Sequence, residues 1–206
     1  GFGYGKLKDY YYQSSVIDFD KDRSDKSVYN LLGGSIGFYG NTLNARQYAT
    51  KGYWEKLVAQ IYTGKEYYTP GTSSSTIEGI QKKKDLAWLQ ISYTKEAYHT
   101  MSPKFVLGWM TEALYSSKNF SENYTATMMQ AGEFSPTVHS QLMYNEAFRA
   151  NQYVAAGIKP IYILNDMFHI RSEFYGFMPI FPIKKNAQNK AFYGKAFSEI
   201  EYMGEI

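Results

Sequence analysis

Between Phe168 and Ile180 the chain alternates in character residue by residue. Phe168, Ile170, Phe174, Met178 and Ile180 form an apolar set, and His169, Arg171, Glu173 and Tyr175 form a polar one. Side chains of a β-strand point to opposite faces with a period of two, so the stretch reads as a strand with one oily face and one face bearing an imidazole, a guanidinium and a carboxylate. Such a strand separates two environments. If its oily face meets another sheet, the fold is a soluble sandwich; if it meets acyl chains, the fold is a transmembrane barrel.

The same pattern recurs along the chain. In Asp85 to Met101, residues Ala87, Leu89, Ile91, Tyr93 and Ala97 share one face and Gln90, Ser92, Thr94 and Glu96 the other. In Lys104 to Ser117, residues Phe105, Leu107, Trp109, Ala113 and Tyr115 oppose Lys104 and Glu112, and the short Met101-Ser102-Pro103 link makes the two segments an antiparallel hairpin. Gln152 to Leu164 sets Val154, Ala156, Ile158, Tyr162 and Leu164 against Lys159, and Asn165-Asp166 turns it into the Phe168 strand. Ala191 to Gly204 sets Phe192, Ala196, Ile200 and Tyr202 against Lys195, Glu199 and Glu201. Further segments run from Leu7 to Phe19, from Ser27 to a turn or kink at Gly40-Asn41, and from Tyr53 to Tyr68, where Pro70-Gly71 and the serine-rich loop Thr72 to Thr76 follow. Weaker segments cover Tyr124 to Ala131 and His139 to Ala147. The expectation is an all-β, antiparallel up-and-down meander of roughly eight to ten long strands, part of a transmembrane β-barrel.

Length separates the two environments best. A tilted strand needs about 9–11 residues to cross the hydrocarbon layer, and roughly five segments or more reach that, whereas sandwich strands are shorter and turn more often. The 206 residues suffice for one large domain, and 21 Tyr, 13 Phe and 3 Trp sit beside a mean hydropathy of −0.44, a pairing that suits aromatic girdles. No stretch approaches the ~20 apolar residues of a membrane helix. A net charge of +3 dispersed along the chain argues against a nucleic-acid surface, and Lys82, Lys83 and Lys84 read as a solvated loop. With no Cys, neither a disulfide framework nor a thiolate metal site is available.

Few residues are candidates for chemistry. Gly33-Gly34-Ser35-Ile36-Gly37 fits the G-x-S-x-G nucleophile elbow, which makes Ser35 a weak catalytic candidate and a serine esterase one alternative function. The elbow needs a strand, a sharp turn and a helix, yet Phe38-Tyr39-Gly40-Asn41 has no helical period. His99, His139 and His169 lie on separate segments without the paired spacing of a metal site, so neither metal nor cofactor is expected. Glu112, Glu173 and Glu199 could meet across a sheet as a carboxylate pair, though nothing singles them out. Arg171 and Glu173, two apart on one strand, share a face and, with Arg149, form a candidate lumenal network. A second alternative is a soluble β-sandwich whose exposed Tyr and Trp stack on sugars.

The segments Phe148 to Gly157 (FRANQYVAAG) and Gly40 to Ala49 (GNTLNARQYA) resemble the barrel region that follows the patatin domain in patatin-like phospholipases of Gram-negative bacteria, a surface-antigen-like barrel. Gly64 to Gly71 (GKEYYTPG) and His169 to Tyr175 (HIRSEFY) continue the likeness, which extends from about Ser27 to Met203. It implies an outer-membrane location, outer-membrane lipid, an attached or upstream lipase domain and the barrel-assembly machinery as partners, and a role in anchoring or exporting that lipase with no chemistry of its own. Two departures stand out: no lipase domain is visible, and the chain stops at Glu205-Ile206 instead of an aromatic closing strand. With its opening Gly1-Phe2-Gly3-Tyr4, it reads as a mature piece, residues 1–206 forming a single β-barrel fragment.

Overall fold

A computed structural model describes residues 1–14, 16–74, 80–165 and 168–205. Ser75 and Thr76 of the serine-rich loop and Asp166 of the expected turn lie outside them. The strands are β1 (Phe2–Tyr11), β2 (Asp25–Asn41), β3 (Gly52–Thr69), β4 (Lys82–Ser102) and β5 (Phe105–Ser116). After β5 comes a 34-residue connection, 117–150, holding a helix, α1 (Tyr124–Gln130), and the two-residue strands β6 (Gly132–Glu133) and β7 (Arg149–Ala150). The chain then continues through β8 (Gln152–Ile163), β9 (His169–Arg171), β10 (Glu173–Pro179), β11 (Ile183–Lys185), β12 (Ala191–Tyr193) and β13 (Glu201–Glu205).

One antiparallel sheet dominates, in the order β1-β2-β3-β4-β5-β8-β10-β13, with β9 also paired to β8. Its neighbours follow chain order, as a meander requires. β2, β3 and β4 reach 17, 18 and 21 residues, well beyond the ~5–6 common in soluble sheets. The register carries the alternation from strand to strand. Phe38, Leu57, Tyr93, Ala113, Val154 and Met178 form one outward row across six strands, and Ala97, Trp109, Ile158 and Phe174 another. The opposite face is concave and covered by the 117–150 connection.

That connection reaches both ends of the sheet. Gln130 donates to Asp9 at 2.7 Å and Asn123 to Tyr11 at 2.9 Å, both on β1. Phe134 stacks on Phe177 of β10 with ring centroids 5.9 Å apart, and His139 meets Glu205 of β13 at 2.6 Å. A flat eight-strand sheet with strands ~4.8 Å apart would hold its edges ~34 Å apart, so curling around the connection brings both within its reach. Among the described residues no ladder joins β1 to β13.

Several expected boundaries move. Tyr124–Gln130 is a helix, because Asn123 caps it, its side chain accepting from Ala126 N at 2.8 Å, and Ala126 packs on Tyr11 and Tyr68. The His139 to Ala147 region forms two 3-10 turns, Ser140–Leu142 and Glu146–Phe148. Phe168 to Ile180 divides at Ser172 into β9 and β10, and Ala191 to Gly204 into β12 and β13. The first strand is Phe2–Tyr11, earlier than Leu7 to Phe19, while β2 ends at Asn41, at the expected Gly40-Asn41 turn. The Lys82-Lys83-Lys84 run opens β4 instead of looping: Lys82 pairs with Glu122 and Lys84 donates to the Phe120 carbonyl, so the connection supplies the counter-groups.

Glycine facing an aromatic ring pins the register. Gly33 lies opposite Tyr62, Gly108 opposite Tyr98 and Gly157 opposite Tyr175. A Cβ on Gly157 would fall 2.1 Å from the Tyr175 ring, and one on Gly108 2.7 Å from that of Tyr98. Each ring thus lies flat over a site that only glycine leaves open. Gly157→Val should lower the free energy of unfolding by about 1–3 kcal/mol in equilibrium denaturation. Gly176→Val, whose Cβ meets nothing closer than 3.9 Å, should change it far less.

Candidate functional site

The concave face carries a network of charges. β4 supplies Glu96 and Tyr98, β8 Lys159, β9 Arg171, and β10 Glu173 and Tyr175, all placed inward by the period of two. Lys159 Nζ lies 3.1 Å from Glu96 and 3.9 Å from Glu173, and Arg171 Nη1 lies 3.6 Å from Glu173. Arg171 also donates to the Tyr98 hydroxyl at 3.1 Å and to the Ala49 carbonyl at 2.6 Å. The Tyr98 and Tyr175 hydroxyls donate to Glu96 and Glu173. Two cations thus meet two carboxylates with little water between them, and the pairing is obligatory: stripping one partner from a buried pair costs about 3–5 kcal/mol.

Of the three sequence candidates for this network, the structure joins Arg171 and Glu173 but not Arg149. Arg149 ties the connection to itself. It pairs with Glu133, lies 4.6 Å over the Tyr144 ring, and donates to the Met128, Met129 and Ala131 carbonyls at 3.3–3.4 Å, where α1 ends with orphan acceptors. Lys159, Glu96 and both tyrosines complete the Arg171 network. Their signal in the sequence was membership of the polar face, which says that a residue points inward but not which neighbours it meets.

Under the other part of the connection lies Lys118, which the sequence does not distinguish. Its ammonium donates to Gln130 at 3.2 Å and stands 4.7 Å over Trp88, near the fully buried Glu66, which accepts from Tyr29 at 3.2 Å. Burial draws the Lys118 pKa down from 10.5 to about 8, against the opposing pull of Glu66 and Asp9.

At the end of the concave face bearing the Arg171 network, a cavity of about 1160 Å³ remains open. The loop from Thr42 to Lys51 forms part of its wall. Asn44 braces this loop, accepting from Thr50 N and Lys51 N at 3.0 Å each, while Arg171 holds the Ala49 carbonyl. Tyr48 adopts φ 55°, a left-handed conformation that costs a non-glycine residue roughly 1–2 kcal/mol. Its ring stays largely exposed at the rim, 5.8 Å from the Arg171 guanidinium and edge-on to His169 at 6.2 Å.

Ser35 lies in the middle of β2, opposite Gln60, with its N–H bonded to the Gly1 carbonyl at 2.8 Å. The strand continues to Asn41, so the strand-turn-helix that presents a nucleophilic serine is not formed there. Glu112, Glu173 and Glu199 hold separate partners: Tyr153 and Thr94, the Arg171 network, and Lys184. Among the described residues no group of three His, Asp or Glu side chains is placed to hold a metal ion. No family model, curated protein or solved structure matches the chain.

The Lys118 environment sets a pH dependence. Between about pH 8 and 10.5 the unfolded chain keeps a proton on Lys118 that the folded one has released, so this group makes stability rise with pH across that window. Melting temperatures measured from pH 7 to 10.5 should therefore show a steeper upward component in the native chain than in Lys118→Met, whose difference curve isolates this residue.

Proposed function

We propose that this chain is an outer-membrane β-barrel region whose convex face contacts acyl chains and whose interior is filled at one end by the 117–150 connection. One observation carries the reading: the apolar rows of the sheet have no second layer over them. Ile36, Ile61 and Ile158 are 77%, 60% and 51% exposed, while the charged network points inward. Soluble monomers rarely expose contiguous apolar patches beyond a few hundred Å², and this face spans the whole sheet. Strand lengths and the inward placement of Glu112, Lys159, Arg171 and Glu173 support the same reading.

Residence in lipid brings a requirement. Unpaired backbone groups in hydrocarbon cost several kcal/mol each, so the free edges of β1 and β13 would be paired there, with each other or with further strands. The role proposed for the barrel is to anchor, or pass outward, an attached patatin-like lipase domain, with the barrel-assembly machinery inserting it. That part rests on the resemblance of Phe148 to Gly157 and Gly40 to Ala49.

The three tryptophans provide a test. Trp109 lies on the convex face, Trp54 and Trp88 on the concave one. In vesicles containing brominated phospholipid, fluorescence of the reconstituted chain should be quenched strongly, and Trp109→Phe should remove most of that quenching. A detergent-free monodisperse monomer that brominated lipid leaves unquenched would overturn the proposal.

A further inference from the structure

The open cavity has a composition that selects a ligand class. Its floor is the Arg171 network, whose cations and carboxylates already neutralise one another. An apolar ligand would find that floor charged. A multiply charged anion would find, among the described residues that line the cavity, only Arg46 as an unengaged cation. What the walls do offer is aromatic surface and hydrogen-bond donors. Tyr39 and Trp54 stand edge to face with centroids 6.2 Å apart, Tyr48 lies at the rim, and Arg46 and Gln47 line the space without a partner among the described residues.

We infer that this cup binds a glycan, with pyranose rings stacked on Trp54 and Tyr48 and their hydroxyls hydrogen-bonded by Arg46 and Gln47. Sugar rings pair apolar C–H faces with equatorial hydroxyls, which is the same mixture of aromatic face and polar tip that the wall presents. The volume of about 1160 Å³ exceeds the ~300–1,000 Å³ of ordinary small-ligand sites, so an oligosaccharide fits better than a single ring. The left-handed backbone at Tyr48 belongs with this assignment: it turns the loop so that Ala49 is buried and the tyrosine ring is left facing the opening. The inference does not rest on the lipid reading, since the cup is on the concave side in either setting.

Calorimetric titration of the full chain tests it, in a detergent without sugar headgroups, with maltohexaose, chitohexaose and oligogalacturonate as probes. Saturable binding of at least one probe is expected, with a Kd of about 1 mM or tighter. Trp54→Ala and Tyr48→Gly should each weaken it about three- to tenfold. Tyr48→Gly relieves the left-handed strain, so its melting temperature should hold or rise while affinity falls, which separates ring stacking from folding. Arg46→Gln, which loses donors to the sugar hydroxyls, should weaken every probe that binds, and oligogalacturonate most. No saturable heat from any probe up to about 10 mM, or full affinity in both aromatic variants, would overturn the assignment.

Discussion

The structure depends on pairing the charges that face the inside of a single sheet. The inward-facing ions of the central network have partners supplied by another strand or by the connection. Lys159 stands between Glu96 and Glu173, Arg171 between Glu173 and the Ala49 carbonyl, and Lys82 against Glu122. In a space with little water such pairing is compulsory, because an uncompensated ion would carry its full desolvation penalty. The outward face is apolar across its middle rows, and its charges, such as Glu55 and Lys95, pair with each other.

The connection after β5 solves the remaining problem. A curled sheet leaves a hollow lined by Tyr29, Glu66, Tyr153 and Phe177, and these are all but fully buried because 117–150 lies over them. Its helix is only seven residues long and would not persist alone. It is held by the Asn123 cap, by Arg149 on its terminal carbonyls, and by packing on Tyr11 and Tyr68. Sheet and connection therefore order one another.

The two ends of the concave face differ in consequence. Over one, the connection seals polar groups against Lys118 and Glu66. Over the other, the charge network forms a floor and the Thr42 to Lys51 loop a wall, leaving room for a guest. An apolar exterior, an interior filled at one end and a cup open at the other are thus separate parts of one sheet.

Much of the sheet was legible from the alternation. The hairpin at Met101-Ser102-Pro103, the outward sets on β4, β5 and β8, and the shared face of Arg171 and Glu173 all follow from a period of two, because a strand offers each side chain only two directions. Glycines near aromatics could likewise be read as room for a neighbouring ring, as Gly33 and Tyr62 bear out. What lies across the sheet could not be read this way. The helix at Tyr124, the division of Phe168 to Ile180 at Ser172, the separation of Arg149 from Arg171, and the joining of Lys159 to Glu96 arise from contacts between residues tens of positions apart. Alternation assigns a side chain to a face; only curvature and register, settled when the sheet curls around its connection, decide which charges on that face become neighbours.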